Sequence, residues 1–309
     1  MNTISVSYNF PTGFLWGSTP PEDALSETNN SAYLFRLQEK SVRALIIEIK
    51  WARCEPLKEQ FDEGYIESRR SLLARIKSRN IEPVVILDSR EFPQWMNLNH
   101  PGRSGSEAAE AYPFYVHLTD ALLPYTNFIG LHAPQQGLFN GARVRTAMDV
   151  FRQTADHIHE LSENTKAGLI LPRDFGTEKA SGVDRLFGRN EYHYLRKAEA
   201  DFLGLPAGQT ATAGIRSVLG ENRIPLMFIT DRLRSGNEED RFEILADTLY
   251  DIWQLYQQGI RVLGYFSETD FNSDSPDTNL YEFSCKNNSL KLSTDMPELP
   301  EKWIRFLKD

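Results

Sequence analysis

The chain has 309 residues, 40% of them hydrophobic and 25% charged, the proportions of an ordinary globular protein. A net charge of −9 argues against a nucleic-acid binder, whose footprint would be a basic face. No run approaches the roughly 18 apolar residues of a membrane span, Met1 to Val6 lacks the parts of a secretory signal, and two cysteines, Cys54 and Cys285, cannot make a disulfide framework.

Apolar runs alternate with helical patterns along the chain, the layout of parallel β-α units. Phe10 to Ser18 reads as a turn entering a short strand. A helix with Leu34, Leu37 and Val42 on one face leads to the strand Ala44 to Ile49. Tyr65 to Arg79 is a helix, Ile81 to Leu87 a strand, and Ala108 to Leu122 a helix. Asn127 to Leu131 is a strand ending at His132, and helix Val144 to Leu161 precedes strand Ala167 to Leu171. Ala200 to Leu205 and Ile224 to Leu233 are the next strands. Phe242, Leu245, Leu249, Ile252, Trp253 and Tyr256 then recur at steps of three and four, an amphipathic helix to lay on a sheet. Arg261 to Phe266 is the last strand, and a final helix carries Trp303. Strands beginning near Phe14, Leu45, Val84, Phe128, Leu169, Phe202, Met227 and Val262 number eight, with no internal repeat or linker over residues 1–309. One (β/α)8 TIM barrel is the expected architecture.

Several strand ends carry recognisable sequences. Phe10-Pro11-Thr12-Gly13-Phe14-Leu15-Trp16-Gly17 is similar to F-P-x-x-F-L-W-G, and Trp51-Ala52-Arg53-Cys54-Glu55-Pro56 to W-S-R-I-x-P. Ile81-Glu82-Pro83 and Phe92-Pro93-Gln94-Trp95 match the two ends of I-E-P-x-V-T-L-Y-H-W-D-L-P-x-W. Ile229-Thr230-Asp231 resembles I-T-E-N-G, and Gly264-Tyr265-Phe266 resembles G-Y-F. These landmarks, in this order, resemble family 1 glycoside hydrolases, the β-glucosidase family. The resemblance implies a TIM barrel whose catalytic-face loops, being shorter than usual after Pro134 and Asp174, leave a trimmed cleft.

Retaining glycosidases need two carboxylates about 5–5.5 Å apart, one attacking the anomeric carbon and one protonating the leaving oxygen. The resemblance places the nucleophile at Asp231, one methylene shorter than glutamate, which withdraws its oxygens by roughly 1.5 Å. Misplacement on that scale costs on the order of a hundredfold in rate. The acid/base glutamate of N-E-P falls at Ala133, whose methyl group moves no proton, and the asparagine before it is His132. The sugar-binding Y-H-W is matched by Asp88-Ser89-Arg90, and W-S by Glu268-Thr269. Trp16, Trp51, Pro56, Pro83, Phe92, Pro93, Trp95, Gly264 and Tyr265 survive as shapers of the barrel. Arg53 is retained and is expected to pair with Asp231, either as a ligand contact or as an ion pair holding two strand ends together.

Asp88, Arg90, Glu91, His132, Arg173, Asp174, Asp231, Arg232 and Glu268 all fall at or just past strand ends. Two readings stay open: charged residues solvated beside short loops, or a new polar site in which His132 titrates near neutrality. His157 and His159 are two apart on a helix and share no face, so no metal site is expected. No phosphate-binding loop or dinucleotide fingerprint occurs, so no cofactor is expected.

The reading that follows is a bacterial, cytoplasmic pseudoenzyme of carbohydrate metabolism. It binds a sugar or sugar derivative without hydrolysing it, or serves a protein partner in sugar biosynthesis. One alternative is a repurposed enzyme acting on a sugar or sugar-nucleotide derivative with Asp231, His132 and Glu268. Another is a weak glycosidase whose acid has moved to Glu91 or Glu268.

Overall fold

A computed structural model describes residues 4–9, 14–20, 22–26, 30–39, 42–99, 107–132, 141–172, 175, 191–206, 213–229, 248, 250–267, 281–286 and 289–294. Eight parallel strands close into a barrel: β2 (Leu15–Ser18), β3 (Ala44–Lys50), β4 (Glu82–Asp88), β5 (Phe128–His132), β6 (Lys166–Ile170), β7 (Phe202–Pro206), β8 (Leu226–Ile229) and β9 (Val262–Ser267). Each pairs with its sequence neighbours, and β2 closes on β9 with Trp16 opposite Tyr265. The (β/α)8 expectation holds strand for strand.

The strands read as nearly continuous apolar runs because both their faces are buried. One face of each points outward to the helices: Leu45, Ile47 and Ile49 on β3, and Val85 and Leu87 on β4, belong to the large outer core. The other face fills the lumen with Ala44, Ile46, Val84, Ile86, Ile170, Phe202, Met227, Ile229, Leu263 and Phe266. This packing needs glycines opposite the large side chains. A Cβ on Gly130 would stand 2.9 Å from the Ile170 methyl, and one on Gly204 would stand 2.5 Å from it. A Cβ on Gly168 would run into the Phe202 ring. The barrel is therefore a plugged core, and only its ends can hold a site.

Helix α1 (Asn30–Glu39) buries Tyr33, Leu34 and Leu37. Next come the single turn α2 (Trp51–Cys54) and α3 (Glu63–Ser78), whose cap Asp62 accepts the Tyr65 amide at 2.9 Å. The helix expected over 108–122 is split into α5 (Glu107–Glu110) and α6 (Tyr112–Leu122), beyond the short α4 (Gln94–Asn99). Proline at the start of α6 suits the first turn of a new helix. Helix α7 (Gly141–Leu161) is three residues longer at its start than the periodicity predicts. Of the amphipathic helix expected from Phe242, residues 250–257 are described and helical, with Ile252 and Leu255 buried. The final helix with Trp303 lies outside the described residues.

A second sheet was not anticipated. Strands β1 (Ile4–Asn9), β10 (Tyr281–Lys286) and β11 (Ser289–Thr294) form an antiparallel sheet in the order β1-β11-β10. Of the aromatic residues retained from the resemblance, Trp16, Trp51, Trp95 and Tyr265 are buried, and Phe92 is partly buried against them. Trp51 is fully buried, edge-on to Phe92 and Trp95 and stacked on Phe114 at 6.0 Å. Its Nε1 donates to Glu55 Oε2 at 2.6 Å, while Trp95 Nε1 donates to the Glu55 carbonyl at 3.1 Å.

Candidate functional site

The carboxyl ends of β3, β4 and β5 bring the described polar residues together. Period-two alternation continues the lumen face of β3 from Ala44 and Ile46 to Glu48, and that of β4 from Val84 and Ile86 to Asp88. On β5 the same alternation runs from Phe128 through Gly130 to His132, and Asp88 and His132 are register partners. The mouth thus has an apolar floor of isoleucines with charged and imidazole groups standing above it.

Arg90, two residues past β4, folds back onto Asp88. Its Nε donates to Asp88 Oδ1 and its Nη2 to Asp88 Oδ2, both at 2.8 Å, and its backbone amide donates to Oδ1 at 2.9 Å. Nη2 also reaches Glu48 Oε1 at 3.3 Å, so one guanidinium ties the tips of β3 and β4. The Asp88 side chain keeps 3% of its exposure and that of Arg90 23%. Burial alone would raise the Asp88 pKa, but the Arg90 hydrogen bonds and charge outweigh it and hold the carboxyl below its ordinary range. Farther out, Lys50 Nζ contacts Glu91 Oε1 at 3.0 Å, where Glu91 is 61% exposed.

His132 is 7% exposed. Burial first, and then the Arg90 charge, push its pKa down to about 3 against the opposing pull of Asp88. The expectation that it titrates near neutrality is therefore overturned: a buried imidazole beside a guanidinium stays neutral. Its carbonyl is held by two buried hydroxyls. Ser89 Oγ and Tyr115 Oη each lie 2.8 Å from the His132 oxygen and 2.6 Å from one another. Burial pushes the Tyr115 pKa well above its ordinary value, so this hydroxyl keeps its proton.

Of the sequence-predicted site residues, Asp88, Arg90 and His132 come together, and Glu91 pairs separately with Lys50 at the rim. Asp88 and His132 are not solvated strand ends. Arg53 sits exposed on α2 with its guanidinium 5.6 Å from the centroid of the Tyr65 ring. Its expected partner Asp231 lies outside the described residues, as do Arg232, Arg173, Asp174, Glu268 and Ala133. Glu48, Lys50 and Tyr115 went unremarked in the sequence, and Ser89 appeared there only as part of the match to Y-H-W. Glu48 had a legible signal, a lone carboxylate inside an apolar run and in phase with Ala44 and Ile46; Tyr115, from a distant helix, had none.

No metal cluster occurs among the described residues. His157 Nε2 meets Asp120 Oδ1 at 2.7 Å and His159 Nε2 meets Asp201 Oδ2 at 2.8 Å, so the two imidazoles serve different neighbours. No described helix is long and apolar enough to cross a membrane.

Comparison with protein-family models finds no match, and neither does comparison with the curated proteins. Solved structures do match. The β-glucosidase from Thermotoga maritima in complex with deoxynojirimycin superimposes with a TM-score of 0.62 at 13% identity, covering 84% of this chain and 88% of that one. The family 1 β-glucosidase of the same organism in complex with isofagomine lactam gives 0.61 at 13% identity, covering 84% and 89%. Its complex with noeuromycin gives 0.61 at 12% identity over the same shares. What these proteins share with this chain is the (β/α)8 barrel of the family 1 β-glucosidases, and at such identity the likeness establishes the fold.

Proposed function

We propose that this barrel binds a small hydroxylated, carbohydrate-like ligand at the carboxyl end of its strands and does not hydrolyse it. The observation that carries this reading is how the ends of β4 and β5 spend their ionisable groups. Asp88 accepts three hydrogen bonds from Arg90 and stays ionised, while His132 stays neutral far below pH 7. A general acid for glycoside cleavage must hold a proton near the working pH and release it to the leaving oxygen. Neither group meets that requirement, and the residue after His132 is alanine.

The same imidazole counts against a repurposed enzyme that uses His132 as a general base, because a base with so low a pKa accepts protons poorly near neutrality. A role beside a protein partner in sugar biosynthesis is compatible with the same chemistry.

Release of chromophore from aryl β-glucosides and β-galactosides tests the reading. The expected result is no release above the uncatalysed background. Turnover that disappears in Asp231→Ala sinks it. In a positive arm, deoxynojirimycin is expected to raise the thermal midpoint of the intact chain, with the rise diminished in Arg90→Leu.

A further inference from the structure

We infer that Arg53 and Arg69, gathered on the ring of Tyr65, form a binding site for a phosphate-type oxyanion on the outer rim of the barrel mouth. The placement follows from the chain. Arg53 stands on α2, directly after the carboxyl end of β3, and Tyr65 and Arg69 occupy successive turns at the amino end of α3. The Arg53 guanidinium carbon lies 5.6 Å from the Tyr65 ring centroid and that of Arg69 4.8 Å from it. Two planar cations, one exposed and one partly buried, thus pack against a single ring near the positive end of a helix of 16 residues.

Among the described residues, neither guanidinium has an ion-pair partner, and Arg69 Nε is sealed from solvent without a hydrogen-bond acceptor. This is unusual within the same helix. The neighbouring Arg70 reaches Glu67 at 3.1 Å and the Ala121 carbonyl at 3.1 Å. Two carboxylates of the stretch, Glu55 and Asp62, are engaged by neutral donors, while Glu63 Oε1 meets His117 Nε2 at 2.9 Å. Glu55 takes Trp51 Nε1 at 2.6 Å and the Glu59 amide at 2.7 Å, and Asp62 takes the Tyr65 amide at 2.9 Å.

A buried donor left without an acceptor is costly, and a guanidinium is built to bind oxyanions side-on through Nε and one Nη. An anion drawn in by the exposed Arg53 would pull the Arg69 fork outward and give Nε its acceptor. Two forks offer more donors than one carboxylate can accept, which favours a phosphoryl group with three terminal oxygens. These residues are separate from the Asp88–Arg90 cluster, so the inference stands or falls independently of the reading of the lumen.

Calorimetric titration of the full chain with inorganic phosphate, phenyl phosphate and acetate tests it. Saturable phosphate binding is expected, weakened about tenfold or more in Arg53→Gln and in Arg69→Gln. It should be unchanged in Arg223→Gln, an exposed arginine elsewhere on the surface. Arg53 is exposed, so its variant folds and keeps the test decisive even where Arg69→Gln disturbs α3. Tighter binding of phenyl phosphate assigns the site to a phosphate ester, and tighter binding of inorganic phosphate assigns it to the free ion. Acetate binding as tightly as either, no saturable binding of either phosphate, or affinity unchanged in both variants overturns the inference.

Discussion

Replacing Arg90 with leucine isolates the physics of the mouth. The substitution removes both side-chain hydrogen bonds to Asp88, each 2.8 Å long, and the 3.3 Å contact to Glu48, while leaving Asp88 with 3% of its side-chain exposure. Breaking a buried pair by deleting one partner costs about 3–5 kcal/mol. Arg90 is 23% exposed, so water enters part of the vacated space, and a loss of about 2–4 kcal/mol is expected near pH 7. The pH dependence carries the sharper test. In the native chain the Asp88 pKa lies below 3.8, so its stabilisation is complete above that value and fades as pH falls through the lower folded one. Without Arg90 the burial effect dominates and raises the folded pKa. The ionised form then costs stability at neutral pH, and the cost disappears once the carboxyl is protonated. The gap between native and variant proteins should therefore narrow on acidification. Urea denaturation near pH 7 and near pH 4 measures it, and Asp88→Asn in the variant background should recover much of the loss at the higher pH. A penalty below about 0.5 kcal/mol, or one that is the same at both pH values, would refute this account of the cluster.

Three further outcomes are expected. His132, with a folded pKa near 3 against an ordinary 6.5, is neutral in both states above 6.5. Stability should fall by about 1.4 kcal/mol per unit as pH drops between those values, and His132→Gln should remove that part of the slope in acid titrations followed by circular dichroism. Tyr115→Phe should cost about 1 kcal/mol, and the double change with Ser89→Ala should cost less than the sum of the two, because both hydroxyls hold one carbonyl and each other. Gly168→Ala should lower stability by about 1–3 kcal/mol by driving a methyl into the Phe202 ring, and the simultaneous change Phe202→Leu should give part of it back.

The barrel was legible because its strands are buried on both faces and write themselves as uninterrupted apolar runs such as Val84-Val85-Ile86-Leu87. The small sheet was not. Ile4-Ser5-Val6-Ser7-Tyr8-Asn9 and Ser289-Leu290-Lys291-Leu292 alternate apolar and polar residues over only a few positions, and their pairing joins the two ends of the chain. No local rule supplies that pairing. The site divides in the same way. Asp88, Arg90 and His132 were readable as strand-end residues because position along a barrel strand decides which end a side chain reaches. Their states were not readable. The neutrality of His132 comes from burial and from an arginine on another strand's loop, and the grip on its carbonyl comes from Tyr115 on α6, 17 residues earlier in sequence.

The isoleucine at position 170 lies across the lumen between two bare backbones, Gly130 on one side and Gly204 on the other. Such an arrangement behaves as an interlock for evolutionary change. A larger residue at either glycine forces the Ile170 side chain to shift or shrink, and at Gly204 crowds Ile229 as well, while a smaller residue at 170 leaves space beside both glycines. A single change that enlarges the floor at either glycine therefore weakens the barrel unless a neighbouring strand changes with it. Variation should consequently be concentrated in the rim, where Lys50 and Glu91 meet water and nothing beneath them has to move.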